Sequence, residues 1–187
     1  MDLKGKTILF LGSSVTYGAA AGGVSFVELA AKKCGFNYIK EAVSGTTLAD
    51  TDDNSYVSRL KKIDKNLKID LLVCQLSTND SYKGIPPQKT KEAIICIIDY
   101  AEKTFGCPVV FYTGTRFESP GYESAVNMLL KLKEKYNFRL LNLWDDKDMR
   151  SVSKADYNRF MKDPVHPTLK GYRDWWTPKF LGFLERL

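Results

Sequence analysis

The segment TILFLGSS, residues 7–14, decides the fold of this chain. An almost continuously apolar run stops at Gly12, and Ser13 and Ser14 follow at once. Such apolar runs are typical of parallel strands that are buried on both faces, and the glycine indicates a turn into a helix. The serines have three interpretations: they hold a phosphate, they cap the helix, or one of them presents a nucleophile.

The same alternation of a short apolar run and a longer amphipathic segment continues along the chain. It predicts strands at residues 7–11, 38–43, 71–76, 108–112 and 139–143. It predicts helices at residues 25–34, 55–68, 90–105 and 122–136, the first opened by the capping box of Ser25 and Glu28. A last aromatic segment is kinked or divided at Pro178. Alternating strands and helices predict one domain, residues 1–187, with a parallel sheet between two helix layers, a three-layer α/β/α fold.

The composition is that of an ordinary globular protein, with 44% hydrophobic and 27% charged residues. No apolar run approaches the roughly 18–20 residues of a membrane span, and the N-terminus fits a first strand better than a signal peptide. We therefore expect a cytoplasmic protein that has no membrane partner. Four cysteines without a CxxC pair and a single histidine predict no metal site.

The formal net charge of +6 raises the possibility of a nucleic-acid partner. The densest basic run is residues 59–68, in which Leu60, Ile63 and Leu67 have the spacing of one helix face. We interpret the basic side chains of this run as the solvated face of an amphipathic helix. No nucleic-acid-binding motif accompanies them, and we expect no nucleic-acid partner.

Three segments with polar residues or glycine follow the first three predicted strands. Ser14 follows the first strand, Gly45 the second and Asn79 the third. In open parallel sheets, functional groups collect at these carboxyl ends. A glycine lets a backbone N–H approach a ligand, and an asparagine amide offers two donors to an oxyanion. Each segment alone is explained as well by a turn or a helix cap.

A fourth segment, Asp163-Pro164-Val165-His166-Pro167, is more specific because it contains the single histidine of the chain. Asp163 precedes His166 by three residues, and two prolines restrict the backbone between and after them. A carboxylate beside an imidazole is the arrangement that a general base needs, since it orients the ring and stabilises the imidazolium.

These four segments, in this order, resemble the SGNH (GDSL-like) hydrolase family over most of the chain, from Gly12 to Pro167. The resemblance implies a flavodoxin-like sheet of five parallel strands and a serine hydrolase site without a metal or other cofactor. It implies that Ser14 is the nucleophile, His166 its general base and Asp163 the residue that orients His166. The oxyanion hole would comprise the backbone N–H groups of Ser14 and Gly45 and the side-chain amide of Asn79.

The sequence departs from the family pattern at two positions. Ser13 stands where the family usually has aspartate, and Ser77 stands where it often has glycine. The family's habits suggest a small ester substrate, such as an O-acetylated sugar or another short acyl ester. Tyr82, Arg116 and Phe117 are the candidate substrate-binding residues.

Other functions use the same residues in part. A flavodoxin-like binding module would employ the first turn for a flavin phosphate, but it leaves Asn79, Asp163 and His166 without a role. A catalytically inactive family member and an acyltransferase with the same site are further alternatives.

Overall fold

The computed structural model describes residues 2–187 and contains a five-stranded sheet in which every neighbouring pair is parallel. The strand order is β2-β1-β3-β4-β5, which is the flavodoxin-like order. The strands are β1 Thr7–Gly12, β2 Asn37–Ala42, β3 Leu71–Gln75, β4 Val109–Tyr112 and β5 Arg139–Leu141. The predicted fold class is confirmed, with strand ends shifted by one or two residues.

Helices connect the strands and follow the last one. They are α1 Ser14–Tyr17, α2 Phe26–Cys34, α3 Tyr56–Lys62, α4 Thr78–Tyr82, α5 Pro87–Tyr100, α6 Pro120–Lys133, α7 Lys147–Arg150, α8 Lys154–Phe160, α9 Leu169–Gly171 and α10 Thr177–Leu184. A short 3₁₀ turn lies at Ala19–Ala21, and π-helical turns extend α5 at Ala101–Phe105 and join α9 to α10 at Tyr172–Trp176. Within residues 2–187, none of the helices combines the length and the apolar character that a membrane crossing requires.

The inner strands β1, β3 and β4 are buried on both faces of the sheet. In β1, Leu9 and Leu11 belong to one hydrophobic cluster, whereas Ile8 and Phe10 belong to a second cluster on the opposite face. This assignment follows from the alternation of side chains along a strand. The first cluster includes apolar residues of α3, α5 and α6, and the second includes those of α2 and α10. The three-layer arrangement explains why β1, β3 and β4 are apolar almost without interruption, whereas the edge strand β2 is partly exposed and contains polar residues.

The helix predicted at residues 55–68 ends earlier, at Lys62. Asp64 Oδ1 accepts hydrogen bonds from the backbone N–H and the side-chain amide of Asn66, both at 2.9 Å. Such a local side-chain bond competes with the helical backbone bonds. Leu67 is 43% exposed and therefore contributes little to holding a further helical turn against the core.

Most aromatic residues of the C-terminal segment pack in the core. Tyr172, Trp176 and Phe180 are almost completely buried, and the ring of Phe180 stacks on that of Phe26 with centroids 3.7 Å apart. Pro178 lies in the first turn of α10, directly after the π-helical turn. A proline lacks the N–H for the preceding helical turn, so a change of helical geometry at this point is expected.

Candidate active site

The first component of the site is the turn after β1. Ser13 is completely buried, and its backbone N–H donates to Gln75 Oε1 at 3.0 Å. The same oxygen accepts the hydroxyl hydrogen of Thr16 at 2.8 Å. The side chain of Ser13 does not cap α1. A Cβ atom at Gly12 would overlap Thr16 Oγ1, so only glycine leaves space for this close turn. The turn thus presents the next side chain, that of Ser14, at the carboxyl edge of the sheet.

A chain of hydrogen bonds connects Ser14 to two residues of the C-terminal loop. Ser14 Oγ lies 2.8 Å from His166 Nε2, and His166 Nδ1 lies 2.8 Å from Asp163 Oδ2. An ionised carboxylate only accepts hydrogen bonds, so the bond to Asp163 assigns the proton to Nδ1. Nε2 is then free to accept the hydroxyl proton of Ser14, which is the arrangement of a serine nucleophile and its base.

Asp163 is held in its ionised form by its own loop. Partial burial would raise the pKa of its carboxyl group, but hydrogen bonds from the backbone N–H of Val165 and from His166 outweigh that effect. The net result is a pKa below the ordinary value for aspartate. Asp163 Oδ1 accepts the backbone N–H groups of both Val165 and His166 at 2.8 Å. These bonds fix the carboxylate against the loop that carries the imidazole.

The loop itself closes on its own backbone. Met161 and Pro167 form an antiparallel bridge, and the backbone N–H of Lys162 donates to the carbonyl oxygen of His166 at 2.8 Å. Asp163 and His166 therefore lie in a tight turn whose two ends are fastened together. Sequence reasoning expected this restriction from the prolines alone, whereas the backbone bonds also contribute.

The three groups predicted as oxyanion donors come from three strand ends. Within residues 2–187, no acceptor receives the backbone N–H of Ser14 or of Gly45. Gly45 has a φ of 79°, a conformation that favours glycine. The Asn79 side-chain amide donates one hydrogen to the carbonyl oxygen of Thr46 at 2.8 Å, which leaves its second hydrogen for another acceptor.

Ser77, which stands at a position where the family often has glycine, has a structural role. Its hydroxyl oxygen accepts the backbone N–H of Asn79 at 3.1 Å and caps α4. A serine at a helix N-cap commonly makes this bond. The substitution therefore helps to set the backbone from which the Asn79 amide projects.

Sequence reasoning missed two buried charged residues around these donors. Asp80, 2% exposed, accepts the backbone N–H groups of Leu48 and Ala49 at 2.8 and 2.9 Å and so fixes the loop that contains Gly45.

Arg59 belongs to the basic run that the sequence predicts to be solvated, but it is only 5% exposed. The signal that could have separated it from Lys61 and Lys62 is its spacing, three residues after Tyr56 and four before Ile63, which places it at the edge of the apolar helix face. Its guanidinium contacts the ends of both β1 and β2.

A cavity of about 390 Å³ lies beside the hydrogen-bonded chain. Its lining comes from three segments: Thr78, Asn79, Ser81 and Tyr82; Phe117, Ser119 and Gly121; and Asp163, Val165 and His166. Ser14 is not part of this lining, but it reaches the cavity edge through its bond to His166. The cavity is thus bounded by the imidazole on one side and by the Asn79 amide on another.

The predicted substrate-binding residues have different locations. Tyr82 and Phe117 line the cavity, where Tyr82 is 90% exposed and Phe117 stacks on Tyr122 with ring centroids 5.5 Å apart. Arg116 does not line this cavity. Its guanidinium pairs with Glu123 at 2.8 Å and with Asp145 at 3.5 Å. The structure therefore brings two of the three residues to the cavity.

Comparison with solved structures finds the same fold in several proteins of low sequence identity. A protein from Lactobacillus plantarum is 18% identical, with a TM-score of 0.79 over 98% of both chains. Axe2, an acetylxylan esterase from Geobacillus stearothermophilus, is 14% identical, with a TM-score of 0.74 over 97% of this chain and 95% of its own. The esterase AlinE4 is 19% identical, with a TM-score of 0.63 over 98% of this chain and 97% of its own.

The sequence comparisons give a more specific result. No curated protein sequence matched the chain significantly. Among protein families, residues 10–173 match the GDSL-like Lipase/Acylhydrolase family. This range contains the four segments on which the sequence-based resemblance rests, so the predicted family is confirmed. The chain belongs to the GDSL-like lipase/acylhydrolase family and is a carboxylic ester hydrolase.

Proposed function

We propose that this enzyme is a serine esterase in which Ser14, His166 and Asp163 form the catalytic triad. The observation that carries the proposal is the continuous chain of hydrogen bonds from Asp163 through His166 to Ser14 Oγ, with both steps at 2.8 Å. It ends beside a cavity that is large enough for a small ester. Family membership supports ester hydrolysis in general, and the roles of these residues are our proposal.

The reaction proceeds by acyl transfer in two halves. His166 Nε2 removes the hydroxyl proton of Ser14 while Ser14 Oγ attacks the ester carbonyl carbon. The tetrahedral intermediate then collapses, the bond to the alcohol oxygen breaks, and His166 gives the proton to that oxygen. In the second half, His166 Nε2 removes a proton from a water molecule while the water oxygen attacks the acyl carbonyl carbon. The bond to Ser14 Oγ then breaks, His166 returns the proton to Ser14 Oγ, and the carboxylic acid leaves. Asp163 stabilises the imidazolium in each half.

The oxyanion of each tetrahedral intermediate accepts the backbone N–H groups of Ser14 and Gly45 and the remaining amide hydrogen of Asn79. The lack of another acceptor for these two backbone groups supports this role. Fixed donors stabilise a developing negative charge more than water does, because they need not reorient during the reaction.

We propose a short acyl ester of a sugar or a similar alcohol as the substrate class. The cavity contains the ring of Tyr82, which is available to stack on a sugar, and the hydroxyl groups of Ser81 and Ser119, which can bond to sugar hydroxyls. Phe117 supplies an apolar surface for a small acyl group. The similarity in fold to an acetylxylan esterase motivates acetate as the acyl group to test first.

The test is active-site labelling with a fluorophosphonate probe, followed by intact-mass and peptide-mass analysis. We expect one adduct, located on Ser14, in the wild-type protein and none in Ser14→Ala. Ser13→Ala is the matched control, since the neighbouring hydroxyl does not contact His166, and it should still be labelled. An unlabelled wild-type protein, with the probe active on another serine hydrolase, would contradict the proposal.

Product analysis separates hydrolysis from transfer to another acceptor. The enzyme is incubated with an acetyl ester in the presence of added alcohols, and the products are quantified. Acetate as the main product is the expected result. A predominance of transacetylated alcohol would instead identify an acyltransferase that uses the same triad.

A further inference from the structure

We infer that Arg59 is a positioning residue for the oxyanion hole, an inference that rests on the proposed function. Arg59 lies on α3, and its side chain is only 6% exposed. The guanidinium points toward the carboxyl ends of β1 and β2, where two of the three proposed donors are found. Its hydrogen-bond partners are Asn54, Glu41, Gly12 and Thr46, none of which lines the cavity, so we infer that its effect on the reaction is exerted through the backbone it holds.

Every N–H of the guanidinium has an acceptor. Nε donates to the carbonyl oxygen of Asn54 at 2.9 Å. One terminal nitrogen donates to the carbonyl oxygen and to the carboxylate of Glu41 at 2.7 and 3.1 Å. The other donates to the carbonyl oxygen of Gly12 at 2.8 Å and to Thr46 Oγ1 at 3.2 Å. The five donors of an arginine are therefore all used, and the group has no freedom to rotate.

These acceptors belong to the segments that carry the donors. Gly12 lies two residues before Ser14, and Thr46 directly follows Gly45. The same nitrogen of Arg59 bonds to both, so one planar group sets the separation between the first turn and the second loop. A shift of either segment would break at least one of these bonds.

Thr46 extends this connection to the third donor. Its hydroxyl accepts from Arg59 and donates to the carbonyl oxygen of Val43 at 2.7 Å, and its own carbonyl oxygen accepts the Asn79 amide at 2.8 Å. Arg59 and Asn79 thus bond to the same residue, one at its hydroxyl and the other at its carbonyl oxygen. We infer that Thr46 transmits the position of the guanidinium to the Asn79 amide.

Lysine cannot replace this arrangement. An ammonium group is a compact charge with three donors, whereas the guanidinium fork directs five donors in fixed directions. A buried charge is tolerated here because the Glu41 carboxylate and four neutral oxygens surround it. The residue type and its burial are both explained by the need to hold several backbone segments at once.

The experiment compares Arg59→Lys, Arg59→Ala and Thr46→Val with the wild type, using p-nitrophenyl acetate and fluorophosphonate inactivation. We expect kcat and the inactivation rate to fall about 10- to 100-fold in the arginine variants, with KM within about 3-fold, because misplaced oxyanion donors act in the transition state. Guanidinium ion at low millimolar concentration should restore at least part of the activity of Arg59→Ala, and methylammonium should not.

Two controls separate positioning from stability. Lys62→Met removes another cation of α3, which donates to the carbonyl oxygen of Asp53 and contacts none of the donor segments. Asp70→Asn weakens the amino end of β1, where the carboxylate accepts the Thr7 N–H at 2.9 Å. Both should retain the wild-type kcat at temperatures at which circular dichroism finds every variant folded.

A double-mutant cycle keeps the inference testable if Arg59→Ala does not fold. We expect Thr46→Val and Arg59→Lys to be non-additive in kcat, since they break the same connection. Two results would overturn this inference and leave the proposed function standing. One is a kcat within 3-fold of the wild type in the arginine variants, and the other is a loss of kcat in the double variant that equals the combined losses of the two single variants. A wild-type protein that forms no adduct at Ser14 would overturn the proposed function and this inference together.

Discussion

His166 Nε2 lies 2.8 Å from Ser14 Oγ, although the two residues are 152 positions apart in the chain. Ser14 is presented by the turn after β1, a central strand of the sheet, and His166 by a loop that follows α8. The sheet brings the turn to its carboxyl edge, and the loop folds back over that edge. The proposed nucleophile and its proposed base are thereby joined by one hydrogen bond across almost the whole length of the chain.

The substitution Asp163→Asn should lower kcat by about 10⁴, as in serine proteases with the corresponding change. An asparagine amide favours the wrong tautomer of His166 and does not stabilise the imidazolium. Steady-state hydrolysis of p-nitrophenyl acetate measures the effect. Asp156→Asn, an exposed carboxylate of α8, is the control and should leave the rate unchanged. A loss of less than 10-fold in Asp163→Asn would contradict the triad.

The substitution Asn79→Ala should lower kcat by about 10² to 10³, the usual loss for one oxyanion donor. KM should change little, because the donor acts mainly on the charge that develops in the transition state. The measurement is the full dependence of rate on substrate concentration. Asn66→Ala, whose side chain bonds only to Asp64 in a remote turn, serves as the comparison. An unchanged kcat in Asn79→Ala would remove this residue from the oxyanion hole.

The substitution Gln75→Met should destabilise the protein and reduce its activity. Gln75 is 2% exposed, and its Oε1 accepts the N–H of Ser13 and both the N–H and the hydroxyl of Thr16. Methionine has a similar volume but leaves these buried donors without an acceptor, at about 1–3 kcal/mol for each unsatisfied group. Urea unfolding measures the loss. An unaltered free energy of unfolding would mean that other groups hold the turn.

The substitution Phe117→Ala should relax the acyl-chain preference. Phe117 lines the cavity, and the rings of Tyr122 and Trp144 pack against its ring with centroids 5.5 Å away, so its truncation enlarges the cavity toward these two rings. We expect the ratio of kcat/KM for p-nitrophenyl hexanoate to that for the acetate to rise about 10-fold, the lower end of the roughly 10- to 200-fold effect of one methylene in a pocket. A constant ratio would indicate that the acyl group binds elsewhere.

The stability that Asp163 contributes should disappear in acid. The pKa of its carboxyl group in the folded protein is below the ordinary 3.8. The contribution is therefore present above about pH 4 and is lost as the pH falls through the folded pKa. Thermal unfolding of the wild type and of Asp163→Asn should differ more at pH 5 than at pH 2.5. A difference in Tm that stays constant over this range would show that the carboxylate is not held by the loop.

The sequence was sufficient to predict the strand-and-helix pattern and the parallel sheet. It also predicted the candidate site residues Ser14, Asp163 and His166. Periodic burial determines the elements, and the Asp163–His166 pair is a local feature of one short loop. Arg59 was not predicted as a buried residue, because it belongs to a basic run with Lys61 and Lys62, and its place at the edge of the apolar face does not show which acceptors the folded chain brings to it. Gln75 ends an apolar strand and gave no sign of the acceptor it provides.

The sequence by itself therefore determined the fold class, the family and the residue types of the candidate site, since these depend on local periodicity and on short motifs in order. Only the tertiary structure decided which polar groups support that site. Gly12 and Arg59 are 47 positions apart, and Ser13 and Gln75 are 62 apart. Such bonds depend on the order of strands in the sheet and on the exact position of a helix against it. Packing of the whole chain, rather than any local pattern, establishes both.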